Sequence, residues 1–143
     1  MVGASSASLR LGDVVIVGGG CYGSFYAGQL LRARARGAVG WRRLLVVDRD
    51  PCCRAASQLP TDTQTELVVG EWGEFFDRYL DAASVQDPSA PDAIVPSPLM
   101  PHLMYQWLVR RARARWPGRA VGSRPVVAAA GTPYDVLAPD GTR

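Results

Sequence analysis

The sequence contains no lysine and no asparagine, and all sixteen of its basic residues are arginine. Alanine, glycine, proline and arginine are abundant by contrast, which indicates a GC-rich coding sequence. The absence of lysine has a chemical consequence, because Schiff-base catalysis, pyridoxal-phosphate attachment and the lysine-bearing phosphate loop all require that side chain. The sequence therefore excludes these three kinds of site.

Histidine and cysteine are also scarce. His102 is the single histidine, so the chain alone cannot supply a two-histidine zinc motif. Cys52 and Cys53 are adjacent and Cys21 is distant, so no Cys-x-x-Cys occurs and a reducing compartment is favoured. The sequence has neither an export signal nor an apolar run near the roughly 20 residues that span a bilayer. We therefore expect a cytoplasmic protein without a membrane or metal partner.

Length and composition are those of one globular domain over residues 1–143, with 48% hydrophobic and 20% charged residues. The net charge of +3 is mild, although arginines cluster within residues 32–43 and 110–119. Aromatic residues are not interleaved with these clusters, as single-strand recognition would require. Solvated helix ends, where cations complement the helix dipole, explain the arginines better than a nucleic-acid interface does.

Short apolar runs alternate with helical patterns along the chain. Strands are predicted at 14–17, 44–47, 67–69, 93–95 and 125–129, and helices at about 21–36, 71–84 and 101–115. An extended connection is expected over 37–43, and a loop or short helix over 51–59. Four aromatic residues are expected in the core: Trp72, Phe75, Phe76 and Trp107. The alternation predicts an α/β fold, a Rossmann-like three-layer sandwich with a mainly parallel sheet.

A glycine motif follows the first predicted strand at once, reading Gly18-Gly19-Gly20-Cys21-Tyr22-Gly23. Gly18 permits a tight turn, Gly20 lets the backbone approach a pyrophosphate, and Gly23 lets the helix pack closely on the strand. The helix that starts here offers unpaired N–H groups to phosphates.

This stretch resembles the fingerprint of the dinucleotide-binding Rossmann family over about residues 12 to 50. The resemblance implies NAD as the cofactor, with NADP and FAD as alternatives, and it implies that Asp48 receives the adenosine ribose hydroxyls. Asp48 favours NAD over NADP, whereas Arg49 could approach a phosphate or pair with Asp50. Asp48 follows Gly18 by 30 residues, more than is usual, which leaves its role open.

Three other protein classes share such glycines. An NTPase phosphate loop fails for want of a lysine before Ser24, and a methyltransferase using S-adenosylmethionine usually has an acid where Val17 stands. An FAD-binding fold uses the same first unit and is the more serious rival.

Candidates for catalysis are few. Ser97 and His102 follow the fourth predicted strand, at the sheet edge where open α/β folds bind ligands, and His102 could carry a proton. Cys21 is either a reactive thiol or a small residue that fills the turn. We therefore expect the nucleotide-binding part of an oxidoreductase with an unidentified small-molecule substrate, or else a non-catalytic NAD-sensing module.

Residues 1–11 are expected to form a flexible N-terminus, and residues 131–143 a C-terminal extended segment. Pro139-Asp140-Gly141 is a hairpin-turn signal close to the last residue, so the C-terminal hairpin looks truncated. An unpaired strand edge would indicate either a homo-oligomer or a missing C-terminal segment. We therefore expect little catalysis by the isolated chain.

Overall fold

The computed structural model describes residues 8–82, 89–100 and 102–122. The chain divides into two compact units, Met1–Leu103 and Met104–Arg143, and each is described by itself. The single domain over 1–143 stays a prediction. The predicted strand 125–129 and the C-terminal hairpin lie outside the described residues. No helix of the described part is long and apolar enough to cross a membrane.

The first unit is a parallel sheet with helices. Its elements in chain order are β1 (Leu9–Val17), α1 (Cys21–Ala35), β2 (Val39–Asp48), a 3-10 helix (Arg54–Ser57), β3 (Thr65–Val69), α2 (Trp72–Ala82) and β4 (Ala93–Val95). The four strands lie in the order β3-β2-β1-β4, and every neighbouring pair is parallel. The predicted α/β fold with a Rossmann-like parallel sheet is confirmed.

The two central strands are longer than the sequence pattern predicts. Residues 9–11, assigned above to a flexible N-terminus, begin β1, and residues 39–43, assigned to an extended connection, belong to β2. Leu9 pairs with Val39 and Leu11 with Trp41, whose side chain is buried. Trp41 makes this early part of β2 a strand, because its large apolar surface is removed from water there.

The helices cover the two faces of the sheet. Val14, Ile16, Leu44 and Val46 share one apolar cluster with Ala27 of α1. The alternate strand positions face α2, where Leu45 and Val68 line a cavity together with Phe75 and Tyr79. Phe75 and Phe76 are buried as predicted, whereas Trp72 is half-buried. The first unit therefore has three layers.

The second unit, in its described part, consists of α3 (Leu103–Arg115) and the residues up to 122. None of the residues of α3 is buried. Trp107 is half-buried and so does not occupy, within the described residues, the core position predicted for it. Leu108 is 60% exposed. Four of the thirteen residues of α3 are arginine.

A buried carboxylate joins several elements of the first unit. Asp13 in β1 is completely buried, and it accepts hydrogen bonds from the guanidinium groups of Arg42, at 2.8 Å, and Arg43. The backbone N–H of Asp13 donates to Asp92 Oδ1 at 2.7 Å, and the Tyr79 hydroxyl donates to Asp92 Oδ2 at 2.7 Å. The group connects β1, β2, α2 and the residue that precedes β4.

The titration of Asp13 makes this cluster pH-dependent. Burial alone would raise the pKa of the Asp13 carboxyl, but the hydrogen bonds and charges of Arg43 and Arg42 outweigh burial and lower that pKa. A lowered pKa in the folded state stabilises the fold above the ordinary carboxyl pKa of about 4. That stabilisation is lost as the pH falls through the lowered value.

We predict that Asp13→Asn lowers the free energy of unfolding by about 2 kcal/mol at pH 7, because charge-assisted hydrogen bonds to a buried group are lost. The expected loss of stability is no larger because the side chains of Arg42 and Arg43 are 64% and 47% exposed, so that water screens part of the interaction. Urea denaturation measures the change. The difference from the parent should be constant above about pH 4 and shrink below it.

Asp50→Asn is the matched control, since it makes the same chemical change at an exposed carboxylate. It should alter the free energy of unfolding by less than about 0.5 kcal/mol. Equal effects of the two substitutions would show that the buried cluster contributes nothing specific.

Candidate functional site

The glycine motif lies where the direction of the chain across the sheet reverses. From β1 the chain moves outward to β2 and β3, and it then returns to place β4 on the other side of β1. Open α/β sheets bind ligands at the carboxyl ends of the strands at such a point. Gly18 follows β1 and Ser97 follows β4, and a Cβ placed on Gly18 would lie 3.9 Å from the Ser97 Cβ. The two strand ends therefore lie side by side at the carboxyl edge of the sheet.

The geometry explains the three glycines Gly18, Gly20 and Gly23 of the turn in three different ways. Gly18 has a φ of +87°, in the left-handed region that favours glycine. A Cβ on Gly23 would lie 1.7 Å from the Gly18 carbonyl oxygen, so α1 approaches the end of β1 too closely for any side chain. A Cβ on Gly20 would meet nothing within 4 Å and would project into open space. Gly20 is thus not required by the packing of the protein itself.

The N-terminus of α1 carries no side-chain cap. Gly20 is the N-cap residue, and the first turn contains no acidic residue. The Ser24 hydroxyl instead donates to the carbonyl oxygen of Gly20 at 2.7 Å. The first N–H groups of a helix have no intrahelical acceptor, so a helix start of this kind is suited to an anion. Cys21 and Tyr22 in the first turn are exposed.

Asp48 reaches the glycine turn despite its unusual spacing. Its Oδ2 accepts the N–H of Gly19 at 2.6 Å, and its Oδ1 accepts the N–H of Asp50 at 2.9 Å. The 30 residues that separate Gly18 from Asp48 are taken up by a 15-residue helix and a 10-residue strand, and that strand pairs along the whole of β1. The extra residues lengthen the sheet away from the turn and leave the carboxylate beside it.

Arg49 does not pair with Asp50 as the sequence suggested. Its guanidinium lies 3.7 Å from Glu71 and 5.4 Å above the ring of Trp72. Glu71 and Trp72 lie at the start of α2, far along the chain, so nothing local in the sequence signals these contacts. Arg49 is directed toward α2.

The candidates for catalysis differ in their positions. Ser97 is buried against the turn, and its hydroxyl oxygen accepts the N–H of Leu99 at 3.3 Å. His102 is exposed, and within the described residues no hydrogen bond or ion pair joins it to the glycine turn. Ser97 therefore lies next to the glycine turn, whereas a role for His102 stays a prediction.

The segment 51–59, predicted as a loop or short helix, contains the 3-10 helix Arg54–Ser57 and also supports the turn. The N–H of Ala55, in the 3-10 helix, donates to the carbonyl oxygen of Gly19 at 2.8 Å. Cys53 is buried so close to Gly19 that a Cβ on that glycine would lie 2.4 Å from the Cys53 Sγ. Arg54 donates to Cys21 Sγ at 3.4 Å. The small residues Cys53 and Ala55 were the available signal, since only small side chains fit against the turn.

Comparison of the chain with family models, with curated proteins and with solved structures found no match. Within the described residues there is also no group of three His, Cys, Asp or Glu side chains that could hold a metal ion. The site must be interpreted from its own geometry.

The geometry predicts opposite outcomes for two glycine-to-alanine substitutions in the turn. Gly23→Ala should lower the free energy of unfolding by about 3 kcal/mol or more, because the new methyl group collides with backbone. Gly20→Ala is the control, since its φ of −72° suits any residue and its Cβ position is open. It should change the free energy by less than about 1 kcal/mol. Thermal and urea denaturation measure both, and equal losses would contradict the close approach of α1 to β1.

Proposed function

We propose that the chain is a dinucleotide-binding domain that takes NAD and belongs to an oxidoreductase. The observation that supports this most directly is the hydrogen bond between Asp48 and the Gly19 N–H. It brings a carboxylate next to an uncapped helix start and to the open Gly20 position. A carboxylate in this place can receive the ribose hydroxyls, and an uncapped helix start with an open position beside it can receive the pyrophosphate.

The two parts of the dinucleotide would use different groups. The pyrophosphate would lie at the start of α1, over Gly20, and receive the N–H groups of the first turn. Each carboxylate oxygen of Asp48 already accepts one backbone N–H, and each has capacity for a further hydrogen bond. The ribose hydroxyls would therefore be received by an acceptor whose orientation is fixed before the ligand arrives.

The charges near Asp48 favour NAD over NADP. A carboxylate in this position repels a 2′-phosphate. Arg49, the neighbouring cation, is held by Glu71 and stacked on Trp72, away from the pairing with Asp50 that would have kept it beside the ribose.

FAD offers the same adenosine diphosphate portion as NAD, so the absorbance spectrum of the purified protein is the first measurement. A flavin absorbance spectrum would indicate that the cofactor is FAD and not NAD.

A non-catalytic NAD-sensing module is the second candidate. Among the described residues, Ser97 is the side chain that the far strand brings against the turn, and its hydroxyl is already bonded to a backbone N–H. A serine hydroxyl without an adjacent base to activate it is a poor acid or base. A conformational response to NAD without turnover of reduced nicotinamide would favour the sensor, and turnover would favour the oxidoreductase.

Gly20→Val tests the binding site. The branched side chain would project into the space that the pyrophosphate needs, while nothing in the protein stands in its way. We expect at least about a hundredfold loss of NAD affinity by calorimetric titration, the scale of a ligand group displaced from its hydrogen bonds. Denaturation should show a nearly unchanged fold. Equal NAD affinity in variant and parent would remove the turn from the binding site.

Asp48→Ser tests the ribose contact. Relief of the repulsion should shift preference from NAD toward NADP by on the order of 1–2 kcal/mol. Asp50→Ser removes the same charge two residues away, at an exposed position, and should leave the ratio of the two affinities unchanged. If Asp48→Ser does not move that ratio either, another residue receives the ribose.

A further inference from the structure

A groove lies along the flank of α1, between that helix and the 3-10 helix, and we call it the α1 groove. It has a volume of about 310 Å³. Its lining includes Cys21 at one end, Phe25, Gly28 and Arg32 from α1, and Arg54 and Gln58 from the opposite side.

The α1 groove is positively charged. Arg32 and Arg54 both line it, and none of its lining residues is acidic. Within the described residues neither arginine forms an ion pair. Arg54 reaches Cys21 Sγ at 3.4 Å, and a Cβ on Gly28 would lie 3.5 Å from a terminal nitrogen of Arg32. Two guanidinium groups therefore border one space without a carboxylate to neutralise them, which favours an anion such as phosphate that offers each guanidinium a pair of oxygens.

The size and the remaining walls suit more than a simple ion. A volume near 310 Å³ falls at the lower end of small-molecule pockets, which are roughly 300–1,000 Å³. Phe25 is 56% exposed and gives an apolar wall on which a sugar or other ring can lie. The Gln58 amide adds a hydrogen-bonding group to the same groove.

The groove begins at the glycine motif, where Cys21 lines one end, and extends along α1 away from it. Arg32 follows Cys21 by 11 residues, a rise of about 16 Å along the helix, although its side chain extends back over Gly28. The pyrophosphate position proposed above, at the first N–H groups of α1, does not by itself account for a cation so far along the helix.

We propose that the α1 groove binds a phosphate ester, with the phosphate held by Arg32 and Arg54 and the carbon skeleton lying on Phe25. This site does not depend on dinucleotide binding at the turn. The phosphate has two sources, a separate phosphorylated small molecule or a phosphate group of a nucleotide bound at the turn.

Ribose 5-phosphate is the probe, and its binding is measured by calorimetry and by ³¹P line broadening. Arg32→Gln and Arg54→Gln should each weaken binding about tenfold, the size of one charge-assisted hydrogen bond, and the double variant should show no saturable binding. Arg36→Gln is the matched control, because Arg36 is an exposed arginine of the same helical region outside the groove. The control should stay within about twofold of the parent.

Two further measurements separate the sources. If a separate phosphate ester binds, Gly20→Val retains ribose 5-phosphate binding and saturating NAD does not displace it. If the nucleotide supplies the phosphate, NAD or adenosine 2′,5′-bisphosphate displaces the probe, and Arg32→Gln weakens that competitor as well.

The proposal is overturned if the parent does not bind ribose 5-phosphate, or if Arg36→Gln weakens binding as much as the groove variants do. It is also overturned if Gly20→Val abolishes probe binding while Arg32→Gln leaves it unchanged, because the phosphate would then lie at the turn. If NAD does not bind the parent, the proposed function is wrong, but the test of ribose 5-phosphate binding in the α1 groove is unaffected.

Discussion

The approach of α1 to the end of β1 is the constraint on which the rest of the candidate site depends. The Gly23 backbone lies so close to the Gly18 carbonyl oxygen that only a hydrogen atom fits between them. This contact fixes where the helix starts, and so it fixes the uncapped first turn at the strand end. Gly18, in the left-handed region, supplies the change of direction that brings the two backbones together. The open position at Gly20 follows from that geometry.

Asp48 then couples the second strand to this turn. Its carboxylate holds one N–H of the glycine turn and one of its own loop, so the carboxylate is part of the scaffold before any ligand binds. A fixed acceptor binds a ribose at a lower entropic cost than a mobile one does. The 3-10 helix supports the same turn from the other side through the Ala55 N–H. The turn is therefore held by the end of β2 and by the 3-10 helix, both of which are distant from it in sequence.

The sequence predicted the parts of this arrangement that are local, and it missed those that depend on distant partners. The runs 14–17 and 44–47 and the glycine motif are local signals, and their strands and turn lie where expected. The early part of β2 was missed because Arg42 and Arg43 look like a solvated loop until the buried Asp13 is seen beside them. The orientation of Arg49 was missed because its partners, Glu71 and Trp72, come from α2.

Different parts of the strands have separate tasks in this fold. The cluster around Asp13 joins the middle of β1 and β2 to α2 and to the start of β4, whereas the glycine turn, Asp48 and Ser97 lie where the strands end. The buried, paired charge in the middle of the strands ties the elements together, while the carboxyl end keeps an uncapped helix start and an empty position at Gly20. Unsatisfied N–H groups destabilise a fold, and they persist where other interactions compensate. Because the Asp13 cluster does not include the strand ends, a substitution at the carboxyl end can change what binds there without removing what holds the sheet together.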